Sequence, residues 1–177
     1  SCTRMYKAFG LNPNNIIMTD SKGVIRDNRK DLSPQKKEFA TSKKINTLEQ
    51  AIKKSDVFIG LSKGNMLTSK MLLSMAKNPI VFAMANPDPE IGYDLAMRTR
   101  DDIIMATGRS DHPNQVNNVL GFPFIFRGAL DVKATKINDQ MKMAAVKALA
   151  SLAKETVPEF VNIAYDKTKL TFGKNYI

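Results

Sequence analysis

The sequence predicts an α/β fold: a parallel sheet with helices on both faces, followed by carboxyl-terminal helices. Three observations carry this expectation. Four short apolar runs recur at residues 15–19 (NIIMT), 56–60 (DVFIG), 79–85 (PIVFAMA) and 103–106 (IIMA). The stretches between successive runs have room for a helix and carry helix-start residues. Each run gives way to polar or Gly/Pro-rich residues: Asp20-Ser21, Gly60-Leu61-Ser62, Asn86-Pro87 and Thr107-Gly108. Short continuous apolar runs bounded by turn residues suit strands buried on both faces, and helices between them suit parallel connections.

The elements follow in order. Cys2, Met5, Tyr6 and Phe9 share one helical face, and Gly10 stops that helix. Cys2, on this face, is expected in the core. The first run leads into a turn at Asp20-Ser21-Lys22-Gly23. Ser33-Pro34 opens a helix with Pro at its first position. Thr47 caps TLEQAIKKS and Thr68 caps TSKMLLSMAK. A helix is expected over residues 91–98 and another over 124–135. Asn138 caps a long helix that places Met141, Ala145, Leu149 and Leu152 on one face. No internal repeat or linker interrupts the chain, so residues 1–177 read as one domain. The first helix reads as the second half of a longer one, and apolar residues continue to Ile177. A fragment is therefore expected.

Lys and Arg number 27 against 17 Asp and Glu, a formal charge of +10. Such a balance suits nucleic acid, an anionic membrane surface or small anions. The basic residues stand singly or in pairs, with no long run and no interleaved aromatics. This favours a solvated basic surface holding a small-anion site over a nucleic-acid partner. The single cysteine, Cys2, permits no internal disulfide and points to a reducing, cytoplasmic location. The single histidine, His112, excludes a multi-His metal site. It stands beside Asp111 and Pro113 and reads as part of a turn. No apolar run reaches the roughly 20 residues of a membrane helix.

Ligands of open α/β sheets bind at the carboxyl ends of strands. Asp20 ends the first run, where a dinucleotide fold places an acidic residue on the adenosine ribose. An aspartate that merely caps a turn fits equally. Ser21, Lys22 and Lys36 lie close in sequence and supply a hydroxyl and two charges, the equipment for a ribose 2′-phosphate. Asn86 in NPDP, and Asn117 and Asn118 in NQVNN, follow other strand ends. Their amides suit carboxylates, hydroxyls or carboxamides, and also turn capping. None of the nine glycines forms GxGxxG, so the first strand and Gly-rich loop of a Rossmann-like sheet are missing.

Residues 108–131, GRSDHPNQVNNVLGFPFIFRGALD, closely resemble the signature of bacterial-type malic enzymes in their cofactor-binding domain. The resemblance extends through NIIMTDSKGVI, DVFIGLSKGNMLT, PIVFAMANPDPE and NDQMKMAAVKALASLA, essentially the whole chain. It implies the carboxyl-terminal NAD(P)-binding part of an enzyme that oxidises L-malate and decarboxylates it to pyruvate. The implied cofactors are NADP or NAD, with Mg or Mn in the complete enzyme. Asp20 then matches the ribose-binding acid. Ser21 and Lys36 match positions where the choice between NADP and NAD is made, and Lys36 favours NADP; Lys22 stands beside them as a further cofactor-binding candidate. Gly60 and Ser62 run beside the cofactor, and Asn86 lies near the nicotinamide ribose. Asn118, with Asn117 beside it, holds the malate carboxylate.

The family's acid–base Tyr and Lys and its metal ligands belong to an amino-terminal domain, so no catalytic or metal role transfers to this chain. The implied partners are that catalytic domain and further copies in a homo-oligomer. Other readings are a degenerate or split-gene product and, from another class, a basic nucleic-acid-binding module.

Overall fold

The computed structural model describes residues 2–164. Two compact units divide the chain, Ser1–Gly108 and Arg109–Ile177.

The first unit contains the parallel sheet, built from β3 (Val57–Gly60), β4 (Ile80–Ala83) and β5 (Ile104–Thr107) in that order. The register pairs Gly60 with Ala83 and Ala83 with Thr107, so the three carboxyl ends lie level. Ahead of the sheet come α1 (Cys2–Ala8), β1 (Thr19–Asp20), β2 (Gly23–Val24), α2 (Pro34–Lys37) and α3 (Leu48–Ile52). Helix α4 (Ser69–Leu73) connects β3 to β4, and α5 (Tyr93–Thr99) connects β4 to β5. The expected α/β class therefore holds.

The caps hold as well. Ser33 accepts from the Lys36 N–H and Thr68 from the Met71 N–H. Thr47 and Gln50 form a reciprocal capping box. Ile52, Leu67, Leu72, Val81, Ile91 and Met105 form the centre of the core. Arg100 locks the sheet's lower end. Its guanidinium donates to the carbonyls of Leu72 (3.0 Å) and Ala76 (2.9 Å) and pairs with Asp102. Asp102 in turn accepts from the Asn78 N–H at 2.8 Å.

One expected strand takes another partner. The run at 15–19 does not join the parallel sheet. Only Thr19 and Asp20 are in strand form, and they pair antiparallel with Gly23–Val24 through a two-residue turn. Ile25 extends the pairing by donating to the Met18 carbonyl at 2.8 Å. A tight hairpin closes a far shorter loop than a parallel crossover of a dozen or more residues. The Asp20-Ser21-Lys22-Gly23 turn thus claims that strand locally. Gly23 has φ +106°, and a Cβ there would overlap the Asn46 carbonyl, so the turn needs glycine.

One burial expectation also fails. Cys2 is exposed, and α1 contains no buried residue. A seven-residue helix presents about two turns, and its apolar stripe is only partly covered: Tyr6 and Phe9 remain exposed.

The second unit is helical. A 3₁₀ turn (Asn118–Leu120) precedes α6 (Phe124–Asp131), α7 (Asp139–Leu152) and α8 (Glu159–Ala164). Asn138 caps α7 as expected, accepting from the Met141 N–H at 2.9 Å. On its apolar face Met141 and Ala145 are half-buried, and Leu149 and Leu152 are exposed. Helix α8 carries no start signal that the sequence reading used. Among the described residues, no helix is long and apolar enough to cross a membrane.

Candidate cofactor-binding site

Two carboxylates organise the first unit's candidate residues. Asp20 sits at the end of β1 with only 15% of its side chain exposed. Its Oδ1 accepts from the Lys22 backbone N–H (3.0 Å), which forms the turn, and from Arg29 (2.9 Å). Its Oδ2 accepts from Arg29 (3.0 Å) and from Lys36 Nζ (2.6 Å). The two Arg29 bonds form a fork-to-fork pair. Arg29 also donates to both oxygens of Asp31, which pairs with Lys22 Nζ at 2.8 Å. The hydrogen bonds from Arg29, and then those from Lys36, hold the Asp20 carboxyl well below the usual carboxylate range. Arg29 and then Lys22 do the same for Asp31.

The hairpin and the Ser33-capped helix α2 together produce this arrangement. The turn brings Arg29 back to Asp20, and α2 carries Lys36 over it. Asp20, Lys22 and Lys36, expected to work together, are therefore in one network. Ser21 lies exposed in the same turn. Three cations face two carboxylates, and the Lys22 and Lys36 side chains remain 68% and 45% exposed. A dianionic phosphate finds exposed donors here, so the cluster fits a phosphorylated ribose.

The second carboxylate is Glu90, only 1% exposed. Its Oε1 accepts from the Ser62 N–H (3.3 Å) and its Oε2 from the Ala85 N–H (3.0 Å). These N–H groups lie just past the carboxyl ends of β3 and β4. The ladder between the two strands ends with Met84 N–H donating to the Gly60 carbonyl at 3.2 Å. Beyond that point the carboxylate replaces the strand-to-strand bonds. A Cβ on Gly60 would overlap the Glu90 carboxyl group, so glycine there makes room for it. Gly60, Ser62 and Asn86 thus lie at or just past the ends of two neighbouring strands, with Ser62 and Asn86 exposed.

In the second unit, Asn117 caps the 3₁₀ turn, accepting from the Val119 N–H at 3.0 Å. Asn118 begins that turn and is exposed. His112 stands 4.0 Å from Asp111. Asp111 is itself bound by Arg109, chiefly at 2.6 and 2.8 Å, which holds its pKa down at about 2. Among the described residues, no three His, Cys, Asp or Glu side chains gather in a group that could hold a metal ion.

Sequence reasoning did not single out Arg29, Asp31 or Glu90. The signal for Arg29 was its place just past a turn that returns toward Asp20. For Glu90 it was an acidic residue directly after NPDP, where a strand-end loop re-enters the core.

Residues 11–164 match the family described as "Malic enzyme, NAD binding domain". The chain belongs to the malic enzyme family. The NADP-dependent malic enzyme of Halomonas elongata is 56% identical over all of this chain, which spans 42% of that protein's length. An NAD-dependent malic enzyme of Rhizobium meliloti is 42% identical, again over the whole chain, which spans 23% of its length. The crystal structure of Entamoeba histolytica malic enzyme aligns with a TM-score of 0.77 and 36% identity. That alignment covers 98% of this chain and 37% of the other. The chain therefore spans less than half the length of these malic enzymes, and both NADP- and NAD-dependent forms are among them.

Proposed function

We propose that this chain is the cofactor-binding part of an enzyme that oxidatively decarboxylates L-malate to pyruvate and CO₂, with NADP preferred over NAD. The observation that carries the preference is the Asp20–Arg29–Lys36 cluster with exposed Lys22, in a chain that matches an NADP-dependent malic enzyme end to end.

The cluster acts by exchange. Both Asp20 oxygens are fully engaged, so a ribose hydroxyl needs one donor to leave. Lys36 is the donor that leaves most readily, being half exposed on a flexible stem. It turns to the 2′-phosphate and releases an oxygen of Asp20 to the ribose. Lys22 and Ser21 add a second charge and a hydroxyl. Arg29 stays in place and keeps Asp20 ionised and oriented.

At the other end of the site, Gly60, Ser62 and Asn86 border the nicotinamide ribose. Asn118, presented by the turn that Asn117 caps, binds the malate carboxylate. When bound, the nicotinamide accepts hydride from malate. The acid–base pair and the Mg or Mn ligands belong to an amino-terminal domain, and the complete protein forms homo-oligomers in the cytoplasm.

A hybrid tests this reading. Residues 1–177 replace the matching segment of the Halomonas elongata enzyme, and NADPH formation from malate is followed with Mg²⁺ present. Turnover by the hybrid, with none from residues 1–177 alone, is the expected result. A hybrid that folds yet neither binds NADPH nor oxidises malate overturns the assignment. Turnover by residues 1–177 alone would place the chemical groups within this chain.

A further inference from the structure

We infer that Glu90 is a positioning residue: a buried carboxylate that sits between the loops after β3 and β4 and bonds to both, and so sets Ser62 and Asn86 for the nicotinamide end of the dinucleotide. This rests on the cofactor-binding reading above.

The geometry is that of a bridge. Neighbouring parallel strands normally satisfy each other's N–H groups along their length. Here the ladder stops at the Gly60–Met84 bond, and the next N–H groups, on Ser62 and Ala85, both turn to one side chain. An ionised carboxylate accepts from both at once, one through each oxygen. Backbone bonds fix the bridge itself. Leu67 N–H donates to the Glu90 carbonyl and Asn65 N–H to the Pro89 carbonyl, both at 2.9 Å. The segment that carries Glu90 is therefore stitched to the loop after β3 as well as to the end of β4.

Ser62 bears one of the two N–H groups, and Asn86 follows Ala85, which bears the other. Both side chains face solvent while their backbone is set from beneath by a group that cannot itself reach a ligand. The carboxyl ends of strands are where open α/β sheets bind ligands. Support of exposed contact residues by a buried hydrogen-bonding group is the means of holding such a site rigid. Glutamate is required over glutamine. An amide has one accepting oxygen and presents its NH₂ to the other N–H, so one loop is released while size and packing are kept.

The test uses the hybrid enzyme described above, with Glu90→Gln and Glu90→Ala. For Glu90→Gln the KM for NADP is expected to rise about tenfold, the effect of one lost charge-assisted bond transmitted to the site. The affinity for adenosine 2′,5′-bisphosphate, which engages only the Asp20 end, is expected to be unchanged. Hydrogen exchange read by mass spectrometry should quicken in peptides covering residues 58–66 and 82–90 and nowhere else.

An unchanged KM for NADP in a folded variant overturns the proposal even if thermal stability falls, because a purely structural role lowers stability alone. So does an equal loss of affinity for dinucleotide and bisphosphate. If Glu90→Gln does not fold, Glu90→Ala takes its place. Normal NADP kinetics in that variant overturn the proposal, and a raised KM with unchanged affinity for adenosine 2′,5′-bisphosphate supports it. An unmutated hybrid that folds but binds no NADPH overturns the cofactor reading, and this proposal falls with it.

Discussion

Asp20, at the end of β1, and Glu90, bonded just past the ends of β3 and β4, are both carboxylates of the first unit, and they are held in opposite ways. Asp20 is surrounded by cations: the largely covered Arg29, the half-exposed Lys36 and, through Asp31, the exposed Lys22. Glu90 faces no cation in its hydrogen bonding and is held by two backbone N–H groups under the sheet's edge. The first arrangement can exchange partners, because a lysine can leave for an incoming phosphate. The second cannot, because its donors belong to the chain itself. The proposed function places recognition on the exchangeable cluster and rigidity on the fixed one.

The largest effect expected from this contrast is on stability. Glu90→Ala leaves the part-buried N–H groups of Ser62 and Ala85 without this acceptor and opens a cavity beside Gly60. A loss of about 2 kcal/mol follows from the lost hydrogen bonds together with lost packing. Urea denaturation of the hybrid and its variant measures it. A loss no greater than that of an ordinary surface substitution would mean that Glu90 does not hold the two loops.

The contrast also explains what was legible in the sequence. Asp20 stood out because an acidic residue at a strand end next to lysines is a local pattern, and the hairpin and α2 then deliver those same neighbours. The caps at Ser33, Thr47, Thr68 and Asn138 were legible for the same reason: each is decided within four residues. Glu90 was not, since its role needs the ends of β3 and β4 to meet, contacts 28 residues apart in one case. The misassigned strand at 15–19 has a related cause. Apolar character predicts extended backbone, but whether the partner is a parallel neighbour or a hairpin depends on which pairing is available. The partly exposed apolar faces of α1 and α7 show that a periodic stripe predicts a face suited to burial, and not what covers it.

An effect of similar size concerns cofactor choice. Lys36→Gln in the hybrid removes the cation that moves between Asp20 and the 2′-phosphate. NADP affinity should fall by about 10- to 100-fold, the range for a lost charge-assisted bond of roughly 1.5–3 kcal/mol. NAD affinity should hold or improve, because Asp20 is released to accept from both ribose hydroxyls. Kinetics with each cofactor at saturating malate decide this. Equal losses for NAD and NADP would show that Lys36 only orders Asp20, making the surface cluster as fixed as the buried carboxylate.

A smaller effect is expected in acid. Arg29 and Lys36 hold the Asp20 carboxyl below its usual range, so the folded chain binds that proton less readily than the unfolded chain. The resulting stabilisation is fully present above the ordinary aspartate value of about 3.9 and is lost as pH falls toward the lower folded value. Arg29→Met should raise the folded pKa of Asp20 and Asp31 and move the acid-unfolding midpoint to higher pH. Circular dichroism during acid titration reads the midpoint, and carboxyl-carbon NMR reads the two aspartates. No movement of either would separate Arg29 from the electrostatics of the cluster.

The smallest effect is expected at Lys22. Its Nζ is 2.8 Å from Asp31, but its side chain is 68% exposed, and Asp31 keeps both of its bonds from Arg29 when Lys22 is removed. Exposed pairs of this kind contribute little, and salt at about 0.15 M screens charges beyond roughly 8 Å. Lys22→Ala should therefore leave the urea midpoint within the scatter of the measurement. NADP binding should still weaken modestly, and less so as salt is raised, because the phosphate loses one exposed cation. A clear loss of stability from Lys22→Ala would have a different meaning. It would show the five charges behaving as one cooperative unit, each bond strengthened by the next. In that case Lys36 could not leave Asp20 without disturbing the rest, and the exchange by which the cluster admits a 2′-phosphate would have to be abandoned.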